Sequence, residues 1–273
     1  MDLESVVTLE TYLRLLELSF EVSQSLAGKP PTQRYFSDCE QLGAKLYFHA
    51  ASVYWLTQGT RAPVPRSRFG SHFTDFASIA VIARAALETY LTMFEVFFEP
   101  TTPEEFEFRH ASWQLQGFIL REGFEQSDPD LEERYIQAQK DISILRERIS
   151  NAPAFQALTE KQQKQVLKGR RLRTRMDVAS AAGFGTDYIR RIYHFYSDYA
   201  HSGGLAASQM FEAKNEAEQR QQTTMHMVMI GTCLAKQILQ YVEGFPEAKA
   251  VAGGFPEGLR HAVLLSEVAR RMP

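Results

Sequence analysis

The stretch FASIAVIARAALETYLTMFEVFF, residues 76–98, decides the fold of this chain. Apolar side chains occupy almost every position, at a length and spacing that indicate one long helix. A helix that is apolar on most of its sides has to be covered by other parts of the protein. The sequence therefore predicts a central apolar helix near 74–98, around which the other elements pack.

The same stretch is long enough to cross a bilayer, but it contains three charged residues, Arg84, Glu88 and Glu95. A charge near the bilayer centre costs roughly 2.5–3.5 kcal/mol on insertion scales. The N-terminal stretch MDLESVVTLETYLRLLELSF carries acidic residues where a secretory signal carries basic ones. We therefore predict a cytoplasmic protein that has no membrane partner.

Helical periodicity dominates the rest of the chain, and no clear strand alternation is present. Thr102 with Glu105, and Thr159 with Gln162, have the spacing of capping boxes at helix starts. The proline- and arginine-containing stretch at 60–72 is typical of an exposed loop. These patterns predict an all-α, multi-helix bundle of about eight helices. We expect one domain over 1–273, with its weakest joint near 151–186.

Composition excludes several classes of protein. Of the 273 residues, 44% are hydrophobic and 23% are charged, which is ordinary for a globular protein. The net charge of −3 argues against wholesale attraction to nucleic acid or anionic lipid. Cys39 and Cys233 lie in apolar helical surroundings and are expected to be reduced core residues. No histidine pair has zinc-site spacing, so no metal or cofactor is predicted, although a metal shared by Glu88 and His201 stays open.

The stretch YSDYAHSGG, residues 196–204, ends a helix with a polar face. At about 100° per residue, Arg190, His194, Ser197 and His201 project within roughly 60° of one another. Tyr193 and Asp198 flank this polar stripe. We expect the stripe to face polar groups inside the bundle.

The natural partners for the polar stripe are Arg84 and Glu88, which stand at i,i+4 on the apolar helix. We therefore expect the Arg84–Glu88 couple to lie next to His201. Two interpretations stay open. The groups form a satisfied structural network that fixes helix register, or they form a functional cleft in which a carboxylate tunes the pKa of a histidine.

Three segments carry a resemblance to a known family: ARAALETYLTMFEVFFEP, FEFRHASWQLQGFILRE and IRRIYHFYSDYAHSGG. Over about 70–245 the chain resembles a family of uncharacterised, largely bacterial all-helical proteins. They combine an Arg-x-x-x-Glu helix with a Tyr-x-x-x-Ser-x-x-x-His helix end. The resemblance implies a helical bundle with no agreed activity, and it maps shared positions onto six residues: Arg84, Glu88, Arg109, Tyr193, Ser197 and His201.

The chain is also distantly similar to the HEPN superfamily (higher eukaryote and prokaryote nucleotide-binding domains). Many HEPN proteins are RNases of toxin or phage-defence systems, with an arginine and a histidine separated by four to six residues. Here only three residues separate Arg190 from His194, and only two separate Arg191 from His194, so the spacing departs from that pattern. A variant site would use His201 as the base and His194 or Tyr193 as the proton donor.

Two further segments have alternative interpretations. KGRRLRTR, residues 168–175, is expected to be a solvated run that pairs with acidic surface groups, with phosphate binding as the alternative. The methionine-rich stretch 223–242, which contains His226, is expected to form core or a dimer face.

From these patterns we expect a helical binding or interaction protein, with bacterial stress or phage defence as its setting. The alternative is a divergent HEPN-like RNase or nucleotide-binding enzyme that uses the Arg84–Glu88–His201 cluster. A homodimer, and binding of RNA or a nucleotide, are the partners left open. The candidate catalytic residues are Arg84, Glu88, Tyr193, His194, Ser197 and His201, and the candidate substrate-binding residues are Arg109, Arg190 and Asp198.

Overall fold

The computed structural model describes residues 7–28, 35–61, 72–121, 129–213 and 215–271. Within these ranges the chain forms thirteen α-helices, one π-helical turn and a two-stranded ribbon. In chain order the elements are α1 (Leu9–Leu26), α2 (Tyr35–Thr57), β1 (Thr60–Arg61), β2 (His72–Phe73), α3 (Phe76–Met93), the π-helical turn (Phe94–Phe98), α4 (Pro103–Arg121), α5 (Pro129–Asn151), α6 (Pro153–Gln156), α7 (Glu160–Leu167), α8 (Arg175–Ala181), α9 (Thr186–Ala200), α10 (Gly204–Glu212), α11 (Glu216–Gly244), α12 (Pro246–Ala252) and α13 (Pro256–Arg271).

The prediction of an all-α fold is confirmed, and the expected count of about eight helices is wrong. Short helices account for part of the difference. Pro153 begins α6 directly after α5. Pro246 begins α12 within the stretch 244–256, whose glycines and prolines predict a connection. The helical periodicity also predicts one helix over about 209–243. The structure interrupts it, because Asn215 caps the start of α11 by accepting a hydrogen bond from the Glu218 N–H.

The ribbon lies within the stretch expected to be an exposed loop. Thr60 pairs with Phe73 and Arg61 with His72, in antiparallel register. Residues 62–71, which complete that loop, lie outside the described ranges. So does Asp128, which the sequence predicts to cap the helix that begins at Pro129.

Internal contacts divide the chain into two compact units. Unit 1 consists of residues 1–93 and 179–273, and unit 2 consists of residues 94–178. The single domain over 1–273 stays a prediction.

The core of unit 1 forms around α3 and α11. Helix α3 packs against α2, α9 and α11, while α11 also packs against α1, α12 and α13. Met227 and Met229 are buried in α11, so the core interpretation of the methionine-rich stretch is confirmed. Cys39 and Cys233 are buried free thiols, and burial raises the pKa of each to about 12.

The core of unit 2 lies between the helical hairpin of α4 and α5 and the short helices that follow. One apolar cluster joins Phe108 and Leu115 of α4 to Ile142, Leu145 and Ile149 of α5. Phe155 of α6 and Val166 of α7 complete that cluster. Thr159 and Gln162 form the predicted capping box, which fixes the start of α7.

The apolar stretch that opened the sequence forms α3 and the π-helical turn. The helical stretch Phe76–Phe98 is long and apolar enough to cross a membrane, and 61% of its most apolar window is buried within the protein. In the π turn the Glu99 N–H donates to the Phe94 carbonyl, five residues earlier, at 2.9 Å. Such turns occur often at functional sites, which makes the acidic side chains at this one, Glu95 and Glu99, candidates for a specific role.

Candidate functional site

Helix α9 carries most of the predicted site residues, and its polar stripe faces solvent. Arg190, His194 and His201 are exposed, while Ser197 and Asp198 are half-buried. The expectation that the stripe faces the inside of the bundle is therefore wrong. The helix packs instead through its apolar side, which buries four residues: Ile189, Ile192, Tyr196 and Tyr199.

Tyr193 is the residue of α9 that meets the Arg84–Glu88 couple. Its hydroxyl donates a hydrogen bond of 2.6 Å to Oε1 of Glu88, and the Arg84 guanidinium carbon lies 5.1 Å from the centre of its ring. Burial, and then the Glu88 carboxylate, raises the pKa of Tyr193, so the phenol stays protonated as a donor. Three predicted residues therefore form a half-buried cluster, which we call the tyrosine cluster: Arg84, Glu88 and Tyr193.

His201 lies away from the tyrosine cluster, contrary to the expectation that it adjoins the couple. It follows Tyr193 by eight residues, which is about 12 Å along a helix axis. At that end of α9, the ring of Tyr199 lies 6.4 Å from the ring of Phe76, at the start of α3. Helices α3 and α9 are thus antiparallel, and this direction takes His201 towards the opposite end of α3 from Glu88.

Asp198 holds the connection between α9 and α10. Its Oδ2 accepts a hydrogen bond of 2.8 Å from the Ala206 N–H in the first turn of α10. A Cβ atom at Gly203 would lie only 1.8 Å from Oδ1 of Asp198, so a larger residue there would displace the carboxylate. The geometry gives Asp198 the role of a helix cap, whereas the sequence had suggested substrate binding.

Arg109, the remaining predicted residue, lies in unit 2 within a network of ion pairs. It donates to the Glu95 carbonyl at 2.9 Å and forms ion pairs with Glu99 and Glu105. Arg173 also pairs with Glu99. We call these residues, together with Arg175, the arginine network.

The arginine network depends on the π turn, which presents Glu95 and Glu99 to three guanidinium groups. Arg175 lies 3.4 Å from Glu95, and both side chains are largely buried, at 11% and 17% exposure. Burial raises the pKa of Glu95 even though arginines oppose the shift. Burial also acts to raise the pKa of Glu99, but hydrogen bonds from Arg173 and Arg109 outweigh it and leave that pKa lowered.

Arg173 and Arg175 belong to the basic run 168–175. Their partners are Glu99 and Glu95, so pairing with acidic groups is confirmed for these two residues. The expectation that the pairs are solvated and at the surface is wrong for them, because the turn that carries Glu95 and Glu99 holds both pairs mostly buried. Glu99 was not among the predicted residues, although its signal was present. Glu99 stands four positions after Glu95 at the end of an apolar helix, where a carboxylate needs a cation. The basic run 168–175 follows later in the chain and offers such cations.

The sequence also did not predict the burial of two basic side chains in unit 1, His226 and Lys236. His226 is 1% exposed, its Nδ1 lies 3.3 Å from the Tyr196 hydroxyl, and burial lowers its pKa to about 4. Lys236 donates a hydrogen bond of 2.8 Å to the Ala182 carbonyl, and burial, aided by Arg270, lowers its pKa to about 8. Both were obscured by the apolar sequence around them.

An exposed apolar surface of unit 1 lies on α2. Phe48 and Trp55 are 64% and 69% exposed, and they project from the side opposite the buried residues Leu46, Ala50 and Val53. On neighbouring α1, the ring of Phe20 lies 5.6 Å from that of Tyr47. We call this surface the aromatic face, and define it by six residues: Leu13, Phe20, Tyr47, Phe48, Tyr54 and Trp55.

Comparison with protein-family models, curated proteins and solved structures gives no match to this chain. The resemblances to the bacterial helical family and to HEPN proteins therefore stay predictions. Among the described residues, no three or more His, Cys, Asp or Glu side chains converge in a way that would hold a metal ion. The function consequently has to be inferred from the geometry of the aromatic face and the tyrosine cluster.

Proposed function

We propose that this chain is a helical interaction protein whose partner binds the aromatic face. The observation that carries the proposal is the exposure of Phe48 and Trp55 on the outer side of α2. The outer side of a surface helix is normally polar, and contiguous exposed apolar side chains mark sites of interaction. Tryptophan, tyrosine and phenylalanine are also the residues in which interfaces are enriched.

Contacts within unit 1 favour binding over catalysis. The Glu88 carboxylate accepts from Tyr193, and the Asp198 carboxylate accepts from a backbone N–H of α10. A general base has to reach the proton that it removes, and His201 is about two helical turns from the tyrosine cluster. A role in bacterial stress or phage defence remains part of the proposal and rests on the family resemblance.

Photo-cross-linking tests the proposed interaction. A benzophenone amino acid replaces Trp55 in the full chain, which is expressed in cells and irradiated. We expect a covalent adduct at this position. The matched control carries the same amino acid at Val263, which is 43% exposed on α13, and should give no adduct. An absence of adducts from both Trp55 and Phe48 would reject the aromatic face as a binding surface.

We also propose a second candidate function, a divergent HEPN-like RNase or nucleotide-binding enzyme. The observation that favours it is the tyrosine cluster, in which Arg84 lies over Tyr193, and the exposed His194 follows Tyr193 in α9. A guanidinium group binds phosphate, while a phenol or an imidazole transfers a proton. Arg190, on the same polar stripe, offers a second exposed cation to a phosphate chain.

Incubation with total RNA and a panel of nucleotides tests the second candidate. If the cluster is catalytic, Tyr193→Phe and His194→Ala should abolish cleavage and keep the melting temperature near that of the wild type. His201→Ala serves as the control, because this exposed histidine lies at the other end of the α3–α9 contact. A wild-type protein that leaves every substrate intact and binds no nucleotide would exclude this function.

A further inference from the structure

The outer side of α2 has the pattern of an interface that pairs with itself. Five exposed positions follow the helix on this side: Gln41, Lys45, Phe48, Ser52 and Trp55. Phe48 and Trp55 are seven residues apart and therefore project within about 20° of each other. The small Ser52 lies between the two large rings, and a small side chain at that place lets a second helix approach closely. A serine hydroxyl can hydrogen-bond to a carbonyl of its own helix, so burial of Ser52 would not leave a polar group unsatisfied.

Charge is absent from most of this helix. From Leu46 to Thr60 the sequence contains no Asp, Glu, Lys or Arg. The centres of interfaces between identical subunits are more apolar than other interfaces and are depleted of charged residues. The segment 46–60 offers no ionic group to select a foreign partner, whereas its aromatic rings are suited to pack against their own kind.

We propose that the aromatic face binds a second copy of this chain, with α2 antiparallel to α2 of the partner. This inference rests on the proposed function and names the partner. A two-fold axis that passes between Ala51 and Ser52 brings Phe48 against the partner's Trp55, and Trp55 against the partner's Phe48. Each ring thus gains one aromatic contact, and the two-fold axis forms the same Phe48–Trp55 contact twice.

Lys45 determines the direction of the pairing. In a parallel arrangement with the same face, Lys45 would lie beside the partner's Lys45, and like charges in an apolar contact are unfavourable. In the antiparallel arrangement Lys45 lies opposite the partner's Gln58, which is exposed and uncharged. Lys45 is the one charged residue among the five exposed positions on this side of α2, and it therefore selects the antiparallel contact.

The contact has to extend beyond α2 to reach the size of a stable interface. A standard interface buries about 800 Å² per partner, whereas a fully buried aromatic side chain contributes about 150–250 Å². Helix α1 supplies further surface, since Leu13 and Phe20 are 40% and 42% exposed and Phe20 contacts Tyr47. We therefore include both α1 residues in the interface.

Molecular mass in solution tests the second copy. In sedimentation and light-scattering measurements we expect the wild type to be a dimer and both Phe48→Glu and Trp55→Glu to be monomers. Val263→Glu places the same charge on an exposed apolar position of α13 and should stay dimeric. Circular dichroism checks that the variants keep the helical content, and Trp55→Gln repeats the test without a charge. A wild type that is monomeric at about 100 μM would overturn the proposal. A dimer that persists in both Phe48→Glu and Trp55→Glu would also overturn it.

Disulfide trapping tests the direction of the helices. Ser52→Cys, which exchanges one oxygen for sulfur, should link two copies in mild oxidant. The proposed axis passes beside that residue, and a disulfide needs a Cβ separation of about 3.5–4.5 Å. Lys45→Cys should not link, since antiparallel pairing leaves about 20 Å between the two introduced thiols. The native thiols do not interfere, because Cys39 and Cys233 are buried. Linkage of Lys45→Cys would contradict the antiparallel contact.

The mass of the photo-cross-linked adduct separates failure of this inference from failure of the proposed function. An adduct of twice the chain mass supports the second copy. A monomeric wild type with a Trp55 adduct to a different protein keeps the proposed function and rejects the second copy. A monomeric wild type with no adduct rejects both.

Discussion

The two units hold polar side chains away from water in different ways. In unit 2 the arginine network pairs each buried charge with an opposite charge, as Arg175 pairs with Glu95. In unit 1 the buried polar side chains are shifted towards their neutral forms, as His226 is by its lowered pKa. Burial of an unpaired charge is expensive, and pairing and neutralisation are the two ways to avoid that cost.

This contrast determines which unit responds to pH and which to mutation. A neutral buried group becomes unfavourable when a change in pH would charge it, so unit 1 should titrate. A paired charge becomes unfavourable when its partner is removed, so unit 2 should be sensitive to single substitutions in the network. Four changes test this contrast.

Acid should weaken unit 1 through His226. Its pKa of about 4 in the fold is lower than the ordinary 6.5, so the unfolded chain binds the proton first as the pH falls. Stability should therefore decrease between pH 6.5 and pH 4, by about 3 kcal/mol at a cost of 1.36 kcal/mol per unit of pKa. Urea unfolding at a series of pH values measures this loss of unfolding free energy.

His226→Gln is the control for the acid effect, because glutamine can still meet the Tyr196 hydroxyl and does not titrate. The difference in stability between wild type and His226→Gln should change over this pH range, whatever the carboxylates contribute to both. A constant difference would show that His226 is not held neutral.

Removal of Arg109 should weaken unit 2. Arg109→Met keeps the apolar stem but leaves Glu99 and Glu105 without one of their cations. Breaking a buried pair costs roughly 3–5 kcal/mol, and the partial exposure of these groups reduces the expected loss to about 2–3 kcal/mol. Chemical denaturation measures the loss, and Arg148→Met, which breaks an exposed pair with Glu107, should change stability by less than about 1 kcal/mol.

The all-α fold was predictable because helical periodicity and capping residues are local signals. Thr159 with Gln162 marked the start of α7 correctly. The helix count was not predictable to the same degree, since interruptions such as Asn215 are single residues that contact only their near neighbours. Single caps inside a long periodic stretch are easily overlooked.

The candidate site was predictable only in part. The sequence indicated that Tyr193 and Glu88 share a polar environment, and the two side chains are hydrogen-bonded. It did not indicate which end of α9 meets Glu88, because the direction of one helix against another is a tertiary property. For the same reason the sequence led us to place His201 beside the Arg84–Glu88 couple. The contact of Phe76 with Tyr199 shows that α3 and α9 are antiparallel, and this direction places His201 away from the couple.

Alkaline pH should strengthen unit 1 through Lys236. Its pKa is about 8 in the fold and ordinarily 10.5, so above pH 8 the folded chain releases a proton that the unfolded chain still binds. The raised pKa values of Cys39 and Cys233 act in the opposite direction in wild type and variant alike. The stability of the wild type relative to Lys236→Met should therefore rise by about 2 kcal/mol between pH 8 and pH 9.5, at 1.36 kcal/mol per unit. A constant difference between the two proteins would contradict a buried lysine with a lowered pKa.

Tyr193→Phe should have the smallest effect. It distinguishes the tyrosine cluster from the arginine network and from the buried His226 and Lys236. The phenol donates to the Glu88 carboxylate, but the cluster is half-buried, so water can replace the hydroxyl. A hydrogen bond to a charged group contributes roughly 1.5–3 kcal/mol when it is buried, and we expect about 1 kcal/mol here. Thermal unfolding of Tyr193→Phe beside Tyr196→Phe, which alters the buried contact with His226, measures the difference. If Tyr193→Phe costs as much as Arg109→Met, the tyrosine cluster belongs with the closed networks that hold the fold, and the case for a ligand at that cluster loses its structural basis.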